Sequence, residues 1–308
     1  MKANCREIHS AVFLGLAIAL LLVTIAGPCC AQADRPKTDV DLLESNAAFS
    51  DGPAKTAAAN ESRVPEPAAS DPALPQASTL FSDSGWHLVI APYLWLPGVH
   101  GTIGALDRDV SVRATPGELI SNFRFGLMVL VEPRYGRLLL PVDMIWIRLG
   151  DDSALPFPNL PVTTANVKAD AFILTPKVGW RVYEFGGLKI DALTGIRYWH
   201  LGQNLQFTPS RLGLSFSGSQ NWVDPLVGGR IQMPLSSKLE VTALGDVGGW
   251  GTGSQMDYQI AGFLGYKIKP RWTIQAGYRY LDVDRRSGGA IFDMAFSGAV
   301  LGVSIDVR

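Results

Sequence analysis

Cysteine is nearly absent from this chain of 308 residues, which has only Cys5, Cys29 and Cys30. All three lie in the first thirty residues, inside a segment that has the pattern of a secretion signal. The exported chain would therefore contain no disulfide, and its stability must come from another source. A closed, fully hydrogen-bonded barrel is such a source.

The N-terminus predicts a cleaved signal peptide over residues 1–33. Lys2 and Arg6 supply positive charge, the apolar segment Ala11 to Ile25 follows, and Ala31-Gln-Ala33 is a small-x-small cleavage site. An uncleaved membrane anchor is a second interpretation, although the apolar run is short for a span of about 20 residues. A lipoprotein signal at Cys29 or Cys30 is a third, and the preceding Gly27 and Pro28 fit it poorly.

Large apolar residues are scarce between residues 34 and 84, where proline, alanine, serine and acidic residues dominate. Such a composition buries too little surface to offset chain entropy, so the sequence predicts a disordered periplasmic segment. It would act as a tether toward the cell wall, or simply be a tolerated tail.

Long apolar runs and strong net charge are both missing from residues 85–308. No window reaches about 18 apolar residues, so we expect no spanning helix there. The whole chain of 308 residues has a net charge of −1, so we expect no broad basic surface for nucleic acid. Hydrophobic residues are 47% of the chain and charged residues 18%. The charged fraction is below the value of about 25% that is typical of a soluble domain.

In residues 85–308, apolar or aromatic residues alternate with polar or charged residues with a period of two. Leu193–Leu201 and Gln275–Val283 are two similar strand endings, with Arg197 or Arg279 opposite a face of apolar and aromatic residues. This pattern is typical of a membrane-spanning β-strand. Ten such segments are expected, at 86–96, 123–134, 137–149, 167–183, 188–206, 221–234, 238–250, 255–268, 271–284 and 291–307.

Short and long connections alternate between these segments. Tight turns are expected at Arg134–Arg137, Glu184–Gly187, Pro234–Lys238 and Lys267–Arg271, and long loops at 97–122, 150–166, 208–220, 250–254 and 285–290. This asymmetry predicts a closed antiparallel up-and-down transmembrane β-barrel of about ten strands, with eight or twelve as alternatives. Residues 99–113 also alternate, and would form an extra hairpin in the first long loop.

Charge assigns the two faces of the strands, because a charge on the lipid face costs about 2–4 kcal/mol at mid-bilayer. The predicted lumen charge network is Arg124, Glu132, Arg134, Asp143, Lys177, Arg181, Lys189, Asp191, Arg197, Asp224, Arg230, Glu240, Asp246, Asp257, Lys267 and Arg279. The predicted interface girdle is Trp86, Trp146, Trp180, Tyr198, Trp272, Tyr278 and Tyr280. Tyr93 and Trp95 are also assigned to a girdle.

Balanced charge in a narrow lumen favours a plugged core, because opposite charges would pair across it. Arg197 and Arg279 are expected to pair with carboxylates such as Asp143, Asp191 or Asp246. A narrow channel for small solutes is the alternative. A soluble barrel with its faces inverted would show the same alternation, but the secretion signal and girdle aromatics favour a membrane.

Catalytic and metal-ligating patterns are sparse. His100 and His200 are expected near the outer rim with Asp282, Asp284 and serines such as Ser287, so a rim-site hydrolase is a minor alternative. Asp282 and Asp284 are also a weak calcium candidate. No spacing ties these residues together, so we predict no enzyme, no catalytic residue, no metal site and no cofactor.

Several motifs carry a resemblance to a known family: Ala91–Gly98, Asp191–His200, Gln220–Pro225, Gly277–Asp284 and Phe292–Gly302. Over residues 86–308 the chain resembles a family of poorly characterised proteobacterial outer-membrane β-barrel proteins, near the small OmpA-like and opacity-type barrels. The resemblance implies a Gram-negative outer-membrane location, contact with outer-membrane lipid, and assembly by the barrel-insertion machinery. Such barrels usually end in an aromatic residue, whereas this chain ends Ser304-Ile-Asp-Val-Arg308.

Overall fold

The computed structural model describes residues 85–105, 108–154, 164–208 and 215–307. The predicted signal peptide and the segment 34–84 lie outside these residues. Within the described ranges, no helix is long and apolar enough to cross a membrane.

The described chain is almost entirely β-strand, with one short helix. In chain order the elements are β1 (Trp86–Ala105), β2 (Arg108–Ala114), α1 (Pro116–Ser121), β3 (Phe123–Tyr135), β4 (Leu138–Leu139), β5 (Val142–Ala154), β6 (Thr164–Phe185), β7 (Leu188–Thr208), β8 (Ser215–Pro234), β9 (Leu239–Gly249), β10 (Met256–Lys269), β11 (Trp272–Ser287) and β12 (Ala290–Val307).

The strands close into one antiparallel ring. From β5 to β12, each strand pairs with the next strand in the chain. The ring is then closed by three further pairings: β12 with β1, β1 with β3, and β3 with β5. The short β4 lies between β3 and β6, as β5 does, so β4 and β5 are one wall strand interrupted at Leu140 and Pro141. Among the described residues β2 pairs only with β1, so the twelve strands found there form a ring of ten wall strands.

The first long connection is ordered. β1 continues to Ala105 and forms a hairpin with β2 in which Val99 faces Ala114, as the alternation of residues 99–113 predicts. Helix α1 follows because Thr115 and Glu118 form a capping box and Pro116 occupies the first turn. The connection expected at 97–122 therefore contains the predicted extra hairpin and, in addition, a short helix that the sequence-based expectation did not include.

Two of the four short turns contain glycine residues with a positive φ angle. Gly136, Gly186 and Gly187 have φ angles of 55°, 59° and 86°, a conformation that other residues adopt at a cost. The connection expected at 285–290 is shorter than predicted, because β11 runs to Ser287 and only Gly288 and Gly289 form the turn. The four short turns lie at one end of the barrel, which we call the turn end, and α1 and the β1–β2 hairpin lie at the other, which we call the loop end.

The two faces of the wall have opposite character. Exposed apolar side chains cover the outside on most wall strands, among them Leu94, Val178, Ile196, Val227, Ile260, Leu264, Ile274 and Leu301. The buried interior instead holds charged and aromatic side chains, including Arg197, Asp257, Arg279 and Trp199. This is the inverse of a soluble barrel, so the alternative of inverted faces does not match the structure.

One stretch of the wall lacks ladder pairing. β1 pairs with β3 over Trp86–Pro92 and with β2 from Val99 onward, so one edge of residues 93–98 has no strand partner in the described chain. The facing edge of β3, residues 123–128, is likewise unpaired on this side. We call this interruption the wall gap. Pro97 contributes to it, because its nitrogen lies on the same edge of β1 as the Trp95 amide and has no N–H to donate.

Candidate functional site

The candidate site is the interior of the barrel. Most of its charged side chains belong to two clusters, and within each cluster the side chains are linked by ion pairs and hydrogen bonds. In the cluster nearer the turn end, Arg230 from β8 makes a bidentate contact to Glu132 on β3, at 2.5 and 2.9 Å. The same guanidinium donates to Asp191 on β7 at 2.9 and 3.0 Å. Arg181 donates to Asp191 at 2.9 Å and Arg134 to Glu132 at 2.5 Å, so both carboxylates are shared.

The second cluster lies in the middle of the lumen and is centred on Arg197. Its guanidinium, which is fully buried, donates to Asp246 on β9 at 2.8 Å and to Asp257 on β10. Lys177 from β6 also donates to Asp246. The indole N–H of Trp199 donates to Asp257 at 3.0 Å.

Arg279 continues this cluster to the opposite wall. It donates to Asp143 on β5 at 2.9 Å, and Tyr93 on β1 donates its hydroxyl proton to the same carboxylate at 2.6 Å. Through Gln259, Arg279 is linked to Asp246, with contacts of 2.7 and 2.8 Å. The middle cluster therefore joins β1, β5, β6, β7, β9, β10 and β11 across the interior.

Charge is balanced in the middle cluster. Three cations, Lys177, Arg197 and Arg279, face three carboxylates, Asp143, Asp246 and Asp257. Each buried ion has an oppositely charged partner and further hydrogen bonds, which is the condition for burying charge without a large net penalty. Asp224 lies nearer the loop end and accepts from the Ser254 amide at 2.6 Å and from Trp222 at 3.0 Å.

Other predicted lumen residues lie outside these clusters. Lys189 pairs with Glu184 at 3.6 Å and Lys267 with Glu240 at 3.5 Å, with partly exposed side chains near the turn end. The placement of Arg124 in the lumen is wrong. A bulge between Phe123 and Phe125 shifts the alternation at this point, and Arg124 is exposed, with its Nε 3.3 Å from the Gly150 carbonyl oxygen.

An aromatic layer fills the interior above the middle cluster, toward the loop end. Trp199 and Trp222 stack with their ring centroids 5.4 Å apart, and Phe292 meets Trp222 edge-on. The guanidinium of Arg279 lies 4.9 Å from the Trp95 ring, a cation–π contact that joins the two layers. Trp95 is only 3% exposed, so its assignment to a girdle is wrong.

The residues predicted as a girdle lie on the outer face. Trp86, Trp180, Trp272 and Tyr278 are exposed, and Trp86 packs beside Tyr135. The other three residues, Trp146, Tyr198 and Tyr280, are partly buried by outer-face neighbours. Trp146 meets Phe125 edge-on and Tyr198 meets Phe172 in the same way.

The rim residues considered for hydrolysis have separate partners. His200 contacts Asn221 at 2.5 Å and lies 3.9 Å from Asp170, while Asp282 accepts from Tyr280 and Asp284 pairs with Arg286. Among the described residues, no group of three or more histidine, cysteine or acidic side chains is placed to hold a metal ion.

Tyr93, Trp95 and Trp199 are interior residues that were not predicted as such, although the alternation of faces along their strands indicates it. Trp86 is outward, so strict alternation along β1 puts Tyr93 and Trp95 inward. Trp199 likewise shares the face of Arg197. An aromatic residue near a strand end lies in the girdle only when its position in the alternation is outward, and Tyr93 and Trp95 do not meet this condition.

A vestibule leads from the turn end toward the middle cluster. This cavity of about 450 Å³ is lined near its mouth by Pro234 and Arg271 and extends to Tyr93, Asp143 and Arg279. The buried ion pairs thus form its inner boundary.

No family model and no curated protein matches the sequence. Solved structures do resemble the fold. The outer membrane protease OmpT from Escherichia coli has a TM-score of 0.49 at 10% identity, covering 75% of this chain and 99% of that one. The translocator domain of autotransporter NalP from Neisseria meningitidis has a TM-score of 0.39 at 16% identity, covering 73% and 89%. Ail, the attachment invasion locus protein of Yersinia pestis, has a TM-score of 0.33 at 12% identity, covering 73% of this chain and 99% of that one.

The fold and the interior together define a class. A closed up-and-down antiparallel ring with an apolar outside and a charged inside is the architecture of outer-membrane-type β-barrels.

Proposed function

We propose that this protein is a small, non-enzymatic β-barrel of the Gram-negative outer membrane, with a closed interior and a structural or surface-interaction role. The apolar outer face supports the membrane location, since exposed residues such as Val178 and Ile260 would be costly in water over so large an area. A cleavable signal peptide would deliver the chain to the periplasm.

The observation that supports a closed interior is a chain of ion pairs and hydrogen bonds across the lumen. It runs from Asp143 on β5 through Arg279, Gln259 and Asp246 to Arg197. It crosses the lumen, and the aromatic layer of Trp95, Trp199 and Trp222 lies directly beyond it. Water and ions would have to displace both layers in order to pass.

The partners we propose follow from this location. They are outer-membrane lipid around the wall and the barrel-assembly machinery during insertion, while the segment 34–84 would contact the periplasm or cell wall. A role with nucleic acid is not proposed, because the net charge of the chain is −1.

Conductance tests the closed interior. The full-length protein, reconstituted in planar lipid bilayers, is expected to show no steady single-channel openings. Combining Arg197→Ala with Arg279→Ala should weaken the heat-modified shift in gel electrophoresis, because two buried cations are lost. Arg286→Ala, which removes an exposed cation from the same strand as Arg279, is the control and should change neither readout.

A narrow channel is the competing function, and the vestibule is the observation that favours it, since it supplies half of an aqueous path. Steady openings of the unmodified protein would overturn the closed interior. A double variant that alters conductance without affecting the gel shift would point to the channel as well.

A further inference from the structure

The wall gap lies beside an apolar cavity of about 380 Å³ near the loop end. Its inner side is formed by buried residues of the barrel interior, including Trp95, Met128, Ile145 and Trp199. Across the gap, the Trp95 amide donates to the sulfur of Met128 at 3.2 Å. A thioether is a weak acceptor, so this contact closes the wall less firmly than a ladder hydrogen bond would.

The same cavity reaches the outer surface. It is also lined by Leu94, Ile120 and Phe123, whose side chains are 46%, 54% and 43% exposed. Leu94 and Trp95 are consecutive residues on opposite faces of β1, yet both line the cavity. The cavity therefore passes around the unpaired edge of β1, with helix α1 beside it.

The lining favours hydrocarbon over water. Apart from Asp170 and Gln203 at one end, the described lining residues are aliphatic, aromatic, methionine, proline or glycine. A cavity of this kind offers water few hydrogen-bond partners, whereas its volume falls within the usual range for small-molecule sites.

A polar cleft adjoins the cavity at its loop end. It shares Leu149, Ala169, Asp170, Gly202 and Gln203 with the cavity, and is also lined by Arg124, Arg148, Lys168 and His200. Its described lining thus carries three permanent cations against one carboxylate. We call it the cationic cleft. Arg148 lies over the Trp146 ring at 4.7 Å, where an outer-face aromatic meets the charged rim.

We propose that the wall gap admits the hydrocarbon chain of an anionic lipid from the surrounding membrane into the apolar cavity, while the cationic cleft holds the lipid's negatively charged head. The inference rests on the proposed membrane location, because lipid then surrounds the exposed residues at the mouth of the gap. Continuity with the apolar outer face identifies the source of the chain, and the excess of cations identifies the charge of the head.

Quenching of tryptophan by bromine tests the chain-binding part. The full-length protein is reconstituted in vesicles of phosphatidylglycerol with brominated chains, and its emission is compared with that in unbrominated vesicles. If lipid chains enter the cavity, the fluorescence of Trp95 and Trp199 is quenched in the brominated vesicles. The double variant Trp95→Phe with Trp199→Phe should then lose emission that bromine quenches in the unmodified protein. If that double variant removes only unquenched emission, the chain does not enter and the proposal is overturned.

A matched pair on the outer face separates this result from the membrane location itself. Trp180→Phe with Trp272→Phe should remove strongly quenched emission, because both side chains are exposed on the wall. Quenching of this outer pair without the inner pair overturns lipid entry alone. Absence of quenching at the outer pair overturns the membrane location.

A blocking variant keeps every tryptophan in place. Ala171→Phe adds a ring to a residue that lines the cavity, and should reduce the quenching of the inner pair by half or more. Ala192→Phe adds the same ring on the exposed face of β7 and is the control. Heat-modified gel migration checks that both variants are folded. Equal inner quenching in a folded Ala171→Phe protein would contradict the proposal.

Head recognition has its own test. Arg148→Gln with Lys168→Gln should lower inner quenching in brominated phosphatidylglycerol and leave it unchanged in brominated phosphatidylcholine, whose head has no net charge. An equal effect, or none, in both lipids would overturn the anionic head.

Discussion

At the scale of single residues, the interior depends on arginine more than on charge in general. Arg230 contacts two carboxylates on two different strands through three nitrogen atoms, and Arg197 and Arg279 also bridge separate strands. A planar guanidinium can serve several acceptors at once, which a lysine ammonium does with less geometric order. The three arginines therefore act as cross-links between wall strands.

Loss of one cross-link should be costly. Arg197→Ala leaves Asp246 with Lys177 alone among its charged partners, and deprives Asp257 of its cation. We expect a loss of about 3–5 kcal/mol in the free energy of unfolding, the usual cost of breaking a buried pair. Urea unfolding in lipid vesicles, followed by tryptophan fluorescence, measures it. Arg286→Ala is the control, and similar midpoints for the two variants would contradict a stabilising network.

The predictability of residues was uneven. Alternation placed Asp143, Asp191 and Asp246 correctly on the inner face, because strand period and lipid cost act locally. It failed at Arg124, where one extra residue in β3 shifts the face, and at Trp95, where residue type was weighed above position. A bulge leaves no clear mark in a single sequence, since it depends on the register of the neighbouring strand.

At the scale of elements, glycine controls how closely strands pack. A Cβ atom built on Gly248 in β9 would lie 1.9 Å from the Pro225 carbonyl oxygen of β8, whereas one on Gly262 in β10 meets nothing within 4 Å. The first position is crowded by backbone, which cannot rotate away, and the second is open.

These two glycines make a matched pair. Gly248→Ala should lower the free energy of unfolding by about 1–3 kcal/mol, as overpacking usually does. Gly262→Ala should have little effect. Chemical unfolding of both variants in detergent micelles is the measurement, and equal stabilities would show that β8 and β9 can move apart without cost.

The order of strands and turns was largely predictable, since turn chemistry and period mark it directly. The hairpin of β1 and β2, and the ring of ten wall strands, follow the sequence-based expectation. The wall gap does not, although Pro97 removes an N–H donor from this edge of β1. Proline marks where pairing is weak, but only the closed ring shows that no other strand in the described part of the chain fills the space.

At the scale of the whole molecule, every ladder that closes the ring lies within residues 86–307. We therefore expect a chain that lacks residues 34–84, but keeps its signal peptide, to form the same barrel. Heat-modified electrophoresis of isolated outer membranes should show the same proportional shift as for the full chain. Loss of the shift would mean that this segment is needed for assembly.

Alternation, most of the inward charges and the balance of their signs can be predicted from the sequence, because each depends on local spacing and on the cost of charge in lipid, whereas the sequence left eight, ten or twelve strands open. Tertiary structure alone decided which charges meet. Asp224 is the register partner of Arg197, yet the ion pairs of Arg197 run to Asp246 and Asp257, 49 and 60 residues away. The physical reason is closure: curving the sheet into a ring brings the inner faces of distant strands together, and no spacing along the chain records that distance.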